Sequence, residues 1–268
     1  MPELVVDGIQ YSYFEVGAGP LLLFAHGTFG VKESFIPQME YLAPRFRCVS
    51  IDLPGHGGSS YDPKGWTIDD LVHSVPALIA GLGERQAALA GVSQGGAVFM
   101  RAALMYPDQI LALIIMCAGA ATPPPELMKR LREFAVMLCH GDAPTRERYA
   151  RQFLSTFHAP ALVEAGDAGI EQELTQVLKH SRRAMPLVAE VPASYRSVFD
   201  QLVQIACPTL IIWGDKDFRP SLGGQMAAQI PHAQLRVIRS AGHHVHIDAP
   251  AATARAIGDF LDSRVTAA

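Results

Sequence analysis

The stretch Ala87-Ala88-Leu89-Ala90-Gly91-Val92-Ser93-Gln94-Gly95-Gly96 decides the fold of this chain. Its first four residues predict a buried strand, and the residues from Gly95 to Met105 predict a helix. A G-x-S-x-G pattern between a strand and a helix is typical of a nucleophile elbow, a turn so tight that only glycine fits two positions on either side of the serine. The turn would hold the Ser93 hydroxyl above the sheet, where N–H groups at the helix start favour a developing anion. The alternative is a glycine-serine loop that matches the pattern by chance.

A serine nucleophile requires a base that removes its proton and an acid that orients the base. The segment Ser240-Ala241-Gly242-His243-His244-Val245-His246 follows the last apolar run and offers three histidines. The segment Gly214-Asp215-Lys216-Asp217 follows the run before it and offers two aspartates. The residue pattern alone leaves the choice among these side chains open.

Short apolar runs alternate with longer segments of helical period, which predicts βαβ units and a parallel sheet. The runs predicted as strands buried on both faces are Leu21–Ala25, Cys48–Ile51, Ala87–Ala90, Leu113–Cys117, Thr209–Trp213 and Leu235–Ile238. Asp7-Gly8 separates two earlier runs and is a strong hairpin signal, so an antiparallel hairpin is expected at the start. The fold class predicted is α/β, with a mostly parallel, doubly wound sheet.

Residues 120–202 break this alternation, because no convincing buried strand occurs there. Pro123-Pro124-Pro125 opens a predicted helix. The apolar residues on one face of that helix are Leu127, Leu131, Phe134 and Leu138. The aromatic content of this region is too high for a solvated linker, so it is expected to pack at the C-terminal edge of the sheet. We therefore expect a core made of residues 1–119 and 203–268, with a helical insertion at residues 120–202.

Five spaced landmarks follow one another along nearly the whole chain. They are His26-Gly27-Thr28, Asp52-Leu53-Pro54-Gly55-His56-Gly57, Gly91–Gly95, Gly214–Asp217 and Gly242-His243. In these motifs and in their order, the chain resembles the α/β-hydrolase superfamily, in the form that carries a helical cap. Five signals in the right order are far more specific than any one of them.

The resemblance implies an α/β-hydrolase fold with a Ser-Asp-His catalytic triad. It places the nucleophile at Ser93, the base at the histidine directly after glycine, His243, and the acid at the aspartate that ends G-x-x-D, Asp217. Acyl transfer also needs two donors to the oxyanion. The N–H group of Gln94 directly follows the nucleophile, and the resemblance implicates the N–H group of Thr28 as the second donor of the oxyanion hole.

Other polar residues near these motifs have plainer interpretations. His26 and His56 are interpreted as residues that organise their loops by hydrogen bonding, not as catalysts. Asp215 is interpreted as a solvated or loop-capping residue, and Asp248 as a turn residue before Pro250.

A metal site is the alternative to a triad. It would use His243, His244 and His246, but a zinc centre needs a further ligand at a distinct spacing, and the serine elbow would then have no explanation. We therefore expect no metal and no other cofactor.

Composition excludes several classes of function. The chain has 22 Lys+Arg against 26 Asp+Glu, a formal charge of −4, and 49% hydrophobic residues, which excludes a disordered protein and gives no basic surface for nucleic acid. The nearly unbroken apolar run from Leu111 to Ala121 is shorter than the roughly 18–20 residues that cross a bilayer, so no membrane association is expected. The start MPELVVDGIQ has no basic n-region or apolar h-region, so the predicted location is cytoplasmic.

The predicted activity is that of a cofactor-free serine esterase, which cleaves a carboxylic ester, or a related thioester or lactone, through an acyl-enzyme on Ser93. The elbow does not distinguish this reaction from carbon–carbon bond hydrolysis or perhydrolysis on the same triad. A ligand receptor built on a hydrolase core could also keep a complete triad.

The substrate is expected to be a small ester-type molecule with an apolar portion, because the insertion is rich in aromatic and aliphatic residues. Seven arginines of the insertion could in principle hold a carboxylate, although most should lie on a solvated face. They are Arg130, Arg132, Arg146, Arg148, Arg151, Arg182 and Arg183. Because Asp217 would raise the pKa of His243 and burial would lower it, the acid limb of kcat/KM is expected at about 6–7. The sequence leaves the oligomeric state open.

Overall fold

The computed structural model describes residues 2–263, and a sheet of eight strands runs through this range. The strands are β1 (Glu3–Val6), β2 (Ile9–Val16), β3 (Leu21–Ala25), β4 (Arg47–Ile51), β5 (Ala87–Val92), β6 (Ile110–Met116), β7 (Thr209–Gly214) and β8 (Gln234–Ile238). Their order is β1-β2-β4-β3-β5-β6-β7-β8. The pairs from β4 to β8 are parallel, whereas β2 pairs antiparallel with both β1 and β4. The predicted fold class is confirmed.

The central strands are buried along their whole length. Every residue of β3, β5 and β7 is buried, as expected for strands covered by helices on both faces. The predicted hairpin is also confirmed, with Asp7 and Gly8 at φ +50° and +79° between β1 and β2. The prediction that the strand Leu235–Ile238 is buried on both faces was wrong. β8 is an edge strand, and Val237 is 55% exposed.

Helices flank the sheet and connect its strands. Within residues 2–263 they are α1 (Ile36–Leu42), α2 (Ile68–Gly81), α3 (Gln94–Met105), α4 (Pro125–His140), α5 (Ala143–Ser155), α6 (Pro160–Ala165), α7 (Ala168–Val177), α8 (Met185–Glu190), α9 (Leu222–Gln229), α10 (Val245–Asp248) and α11 (Pro250–Asp262). α3 packs on β5 and β6, and α11 packs on α1, β7 and β8. None of these helices combines the length and apolar character that crossing a membrane requires.

The helices α4 to α8 all lie between β6 and β7, where the sequence predicts a helical insertion. α4 begins at Pro125 and buries Leu131, Phe134 and Leu138, as the spacing predicts. Helices α4, α5, α7 and α8 share a hydrophobic cluster that also contains Phe29, from the loop after β3. The insertion therefore packs against the loop that carries the predicted oxyanion donor Thr28.

Candidate active site

Ser93 occupies the turn between β5 and α3 with φ +50° and ψ −113°, a conformation that L residues rarely adopt. The backbone is crowded on both sides of this turn. A Cβ atom on Gly91 would lie 2.4 Å from the backbone of Gly95, and one on Gly95 would lie 2.2 Å from the carbonyl oxygen of Ala25. Only glycine fits these two positions, which is the physical reason for the G-x-S-x-G spacing. The turn places Ser93 at the carboxyl end of β5, at the start of α3.

His243 and Asp217 come from the loops after β8 and β7 and meet beside the sheet. The two atoms His243 Nδ1 and Asp217 Oδ2 are 2.6 Å apart, and both side chains are buried. Asp217 Oδ1 also accepts a hydrogen bond of 2.7 Å from the backbone N–H of Arg219. Asp215 lies away from this pair and accepts a hydrogen bond of 3.4 Å from Ala241 N. Of the two candidate aspartates, the structure thus brings Asp217 to the predicted base.

The protonation of this pair follows from its burial. Burial lowers the pKa of His243 to about 4, against the opposing hydrogen bond and charge of Asp217. Burial raises the pKa of Asp217, but the hydrogen bonds and charges of His243 and Arg219 together outweigh burial and leave the pKa below its ordinary value. At neutral pH the pair is therefore a neutral imidazole and a carboxylate, the state that a general base requires.

Two histidines hold the loop that carries Thr28, through the N–H group and the carbonyl group of Phe29. The Phe29 N–H donates to His56 Nε2 at 3.1 Å, and the Phe29 carbonyl lies 2.7 Å from Nε2 of His180, a residue of the insertion. The Thr28 hydroxyl donates to Gln94 Oε1 at 2.7 Å. Within residues 2–263, neither Thr28 N nor Gln94 N donates to another residue, so both N–H groups can serve a ligand.

His26 and His56 act as the sequence interpretation expects. His26 Nε2 accepts a hydrogen bond of 3.0 Å from Leu53 N, and His26 Nδ1 lies 2.7 Å from the Gly27 carbonyl oxygen. His56 Nδ1 lies 3.0 Å from the Pro54 carbonyl oxygen. Both rings are buried, and both tie together the loops after β3 and β4. Their assignment as loop-organising residues is confirmed.

One cavity brings four of the five predicted site residues together. Ser93, His243, Thr28 and Gln94 all line it, while Asp217 is not among its lining residues. Its apolar lining residues include Leu127, Leu131, Leu154, Phe153 and Phe157, all from the inserted segment. The predicted nucleophile, base and oxyanion donors therefore share one partly apolar enclosure.

A buried polar network connects the inserted segment to the loop of His243. His158 lies between two carboxylates, with Nδ1 2.5 Å from Asp248 Oδ1 and Nε2 2.7 Å from Glu173 Oε2. Asp248 Oδ2 accepts hydrogen bonds from Gly242 N at 2.7 Å and from Ala159 N at 2.8 Å. Since Gly242 directly precedes His243, the network fixes the backbone that carries the predicted base.

The central histidine of this network is charged at neutral pH. Burial lowers the pKa of His158, but its hydrogen bonds to Asp248 and Glu173 outweigh burial and raise the pKa to about 9. Burial raises the pKa of Glu173, but the charge of His244 and the hydrogen bond from His158 hold it well below its usual range. An imidazolium between two carboxylates thus joins α7 to α10.

Comparison with known proteins identifies the family. A family model for the alpha/beta hydrolase fold matches residues 20–250. The chain belongs to this family.

The acetyltransferase component of the acetoin cleaving system of Pseudomonas putida is 30% identical over 91% of this chain and 64% of its own length, so the chain spans less than two thirds of that relative. Monoacylglycerol lipase ABHD6 of Mus musculus is 25% identical over 92% of this chain and 77% of that protein. The solved structure of a thermophilic esterase from Thermogutta terrifontis has a TM-score of 0.88 and 25% identity, covering 98% of both chains.

Two groups of side chains in this α/β-hydrolase could in principle hold a metal ion. Among residues 2–263 they are Cys117 with Asp217 and His243, and His158 with Glu173 and His244, each with its ligand atoms within 4.8 Å of one another. A hydrogen bond already joins two members of each group, His243 with Asp217 and His158 with Glu173, so an ion would have to replace these bonds. The three histidines that the sequence offered as an alternative metal site, His243, His244 and His246, form neither of these groups. Instead, the His246 ring packs 4.7 Å from the ring of Phe35.

Sequence reasoning missed four residues of this site. Asp248 is a buried acceptor of the network and not a simple turn residue, so that interpretation was wrong. Nothing in the sequence marked His158 or Glu173, because their partners lie far away along the chain. Arg219, which lines the cavity, could have been found, since it lies two residues beyond Asp217 in the same loop.

We predict that, as pH falls, kcat/KM for an uncharged ester begins to drop only well below pH 6–7, the range expected from the sequence. The base must be neutral to accept a proton, so activity is lost as pH falls through the pKa of His243. Burial has moved that pKa down to about 4. Initial rates measured between about pH 4 and 8 should show the acid limb below the ordinary histidine value of about 6.5.

The Asp215→Asn variant is the matched control for this pH profile. Its kcat/KM should fall at the same acid pH as that of wild type. Circular dichroism over the same pH range separates titration of the base from acid unfolding. A limb at about 6–7 with the protein fully folded would contradict the burial argument.

Proposed function

We propose that this α/β-hydrolase is a serine esterase that cleaves a carboxylic ester, or a related thioester or lactone, through an acyl-enzyme on Ser93. The observation that carries the proposal is the position of His243. One ring nitrogen lies 2.6 Å from the Asp217 carboxylate, and the same histidine lines the cavity that Ser93 lines. A base that is held by an acid and shares a cavity with a serine is the arrangement that activates a hydroxyl.

In the acylation step, Ser93 Oγ attacks the carbonyl carbon of the ester, and His243 Nε2 takes the hydroxyl proton. The carbonyl oxygen becomes an oxyanion, which the backbone N–H groups of Thr28 and Gln94 stabilise. The carbon–oxygen bond to the alcohol then breaks, and His243 returns its proton to the leaving alcohol. The product of this half-reaction is the Ser93 ester of the acid.

In the deacylation step, water takes the place of the serine. His243 removes a proton from water as the water attacks the acyl carbon, and the same two N–H groups hold the second oxyanion. The bond to Ser93 Oγ breaks, and His243 protonates the serine. Asp217 keeps the imidazole in the tautomer whose Nε2 can accept a proton, and it stabilises the transient imidazolium.

The inserted segment, residues 120–202, supplies specificity in this proposal. It acts as a cap that closes the cavity, because its leucines and phenylalanines form much of the lining. These side chains favour an apolar acyl or alkyl group on a small-molecule substrate. Two similar proteins named above, an esterase and a monoacylglycerol lipase by their printed names, support ester cleavage as the reaction.

A panel of substrates tests this proposal. The purified protein should be assayed with oxygen esters of increasing acyl length, matched thioesters, a lactone and a vinylogous 1,5-diketone, before and after dialysis against EDTA. We expect turnover of at least one ester series with an unchanged rate after dialysis. Loss of activity that zinc restores would contradict the serine mechanism, and turnover of the diketone alone would replace ester cleavage by carbon–carbon bond cleavage. Binding without turnover would indicate a receptor.

We predict that Phe153→Ala changes the preferred acyl chain length. Phe153 lines the cavity and stacks on Phe134 at a centroid distance of 3.9 Å, so its removal opens space under the cap. Longer acyl chains should gain in kcat/KM relative to short ones. The measurement is the ratio of kcat/KM across the acyl series.

Tyr149→Ala is the matched control, because Tyr149 is an aromatic residue of the same helix that is 38% exposed. It should leave the ranking of acyl chains unchanged. The same ranking in wild type and in Phe153→Ala would mean that the cap does not set acyl specificity.

A further inference from the structure

Arg219 lines the cavity of Ser93 with most of its hydrogen-bonding capacity unused. A guanidinium group carries five N–H donors. The single hydrogen bond of this group runs from Nη2 to the Cys117 carbonyl oxygen at 3.4 Å, and Nε is buried without a partner. A buried donor without an acceptor is costly, so the site is incomplete without a further acceptor.

The charge of Arg219 also lacks an ion-pair partner. Within residues 2–263, no carboxylate lies within 4.0 Å of its guanidinium. The nearby carboxylate of Asp217 is occupied by His243 and by the backbone N–H of Arg219. Burial lowers the pKa of Arg219, against the opposing charge of Asp217.

The carboxylate on the cavity wall, that of Glu173, already has cationic partners. Its carboxylate lies 2.7 Å from His158 Nε2 and 2.9 Å from His244 Nδ1. Among the described residues that line the cavity, Arg219 is the one lysine or arginine. Its guanidinium lies over the Phe218 ring, 4.9 Å from the ring centroid, but it has no carboxylate partner.

The arginines of the insertion do not compete for this role. None of the seven that the sequence suggested as possible carboxylate ligands lines the cavity in the described chain. Arg132 pairs with Glu190 and Arg151 pairs with Glu171 on the surface of the insertion. The arginine on the cavity wall thus comes from the loop after β7 and not from the insertion.

We propose that Arg219 binds a carboxylate of the substrate, so that the preferred ester carries a free acid group besides the carbonyl that Ser93 attacks. This inference rests on the proposed esterase function and narrows its substrate class. A planar carboxylate accepts two parallel hydrogen bonds from a guanidinium, which supplies the missing acceptors and the missing charge together. The apolar residues of the cap contact the remainder of the molecule.

The backbone at Gly119 leaves room for this interaction. A Cβ atom at position 119 would lie 3.1 Å from Arg219 Nη1 and 3.2 Å from Leu222 Cδ2. Gly119 also lines the cavity, so the guanidinium lies against a wall that carries no side chain. A side chain at this position would crowd the guanidinium.

Two matched substrate pairs test the proposal. Monoethyl adipate and ethyl adipamate differ by a carboxylate or an amide on the acyl side, and 4-acetoxybenzoate and 4-acetoxybenzamide differ in the same way on the alcohol side. The readout is the ratio of kcat/KM for the anionic and the neutral member of each pair, measured at neutral pH. Wild type should favour the anion in at least one pair by about 10-fold or more, since hydrogen bonds to charged groups are strong.

Three variants complete the experiment. Arg219→Gln should lower the ratio in that pair by about 10- to 100-fold, and Arg219→Lys should keep part of the preference because it keeps the charge. Arg148→Gln is the matched control, since Arg148 is an exposed arginine of the cap, and its ratio should equal that of wild type. Thermal melting of each variant checks that it is folded.

The outcomes separate this inference from the proposed function. If wild type hydrolyses none of the four esters and no ester, thioester or lactone of the panel above, the proposed function fails. Hydrolysis of panel substrates but of none of these four esters would leave the esterase intact and overturn the role of Arg219. Equal turnover of anionic and neutral esters by wild type would leave the esterase intact and overturn the role of Arg219. An equal loss on both members in Arg219→Gln, with an unchanged ratio, would also overturn it, because a purely structural arginine has that effect.

Discussion

Replacing Ser93 by alanine is expected to lower kcat for any ester substrate by about 10⁶-fold, the loss typical of removing the nucleophile of a Ser-His-Asp triad. The reason is local, because the elbow leaves the Ser93 hydroxyl as the nucleophile that shares a cavity with His243. The measurement is the steady-state rate of the purified variant. Circular dichroism and thermal melting should show that the fold is retained, since the change removes one oxygen atom.

Ser221→Ala is the matched control for that experiment. Ser221 is an exposed serine that precedes α9, and it does not line the cavity. Its replacement should leave kcat near the wild-type value. Substantial esterase activity in a folded Ser93→Ala protein would mean that another group performs the attack.

The Asp217→Asn substitution is expected to lower kcat by about 10⁴-fold, a loss that follows from a wrong tautomer of the base. His243 Nδ1 lies 2.6 Å from Asp217 Oδ2, and because a carboxylate only accepts, the proton of the neutral imidazole is on Nδ1. An amide nitrogen in the same place can donate to Nδ1, which leaves the proton on Nε2 and prevents Nε2 from accepting the serine proton. The substitution also removes the negative charge that stabilises the imidazolium.

Asp215→Asn separates this effect from a general loss of charge in the loop. Asp215 is partly exposed and accepts only a long hydrogen bond of 3.4 Å from Ala241 N. Its replacement should leave kcat within a few-fold of wild type, because no catalytic step uses it. Equal losses in the two variants would assign the acid elsewhere.

The elbow and the fold could be predicted because their determinants are local in the sequence. The spacing of Gly91 and Gly95 around Ser93 follows from backbone clashes within one turn, so the pattern can be read directly. The alternation of apolar runs and helical segments predicted the parallel strands in the same way. Burial of β8 was predicted wrongly, because a short apolar run has the same pattern at the edge of a sheet as at its centre.

The polar network could not be predicted, because its contacts are distant along the chain. His158 meets Asp248 across 90 positions and Glu173 across 15 positions. Each residue alone reads as an ordinary surface residue, and only the packing of α7 against α10 gives them a shared buried environment. The expected pH of the acid limb was too high for a similar reason, since the sequence does not indicate how deeply His243 is buried.

The most direct test of the central claim is to trap the nucleophile. The protein should be treated with a fluorophosphonate, and the adduct counted by intact-protein mass spectrometry and mapped by peptide sequencing. We expect one phosphonyl group per chain, on Ser93, and no rapid labelling of Ser93→Ala. Labelling of another residue in wild type, or undiminished labelling of Ser93→Ala, would contradict the claim that this α/β-hydrolase acts through an acyl-enzyme on Ser93.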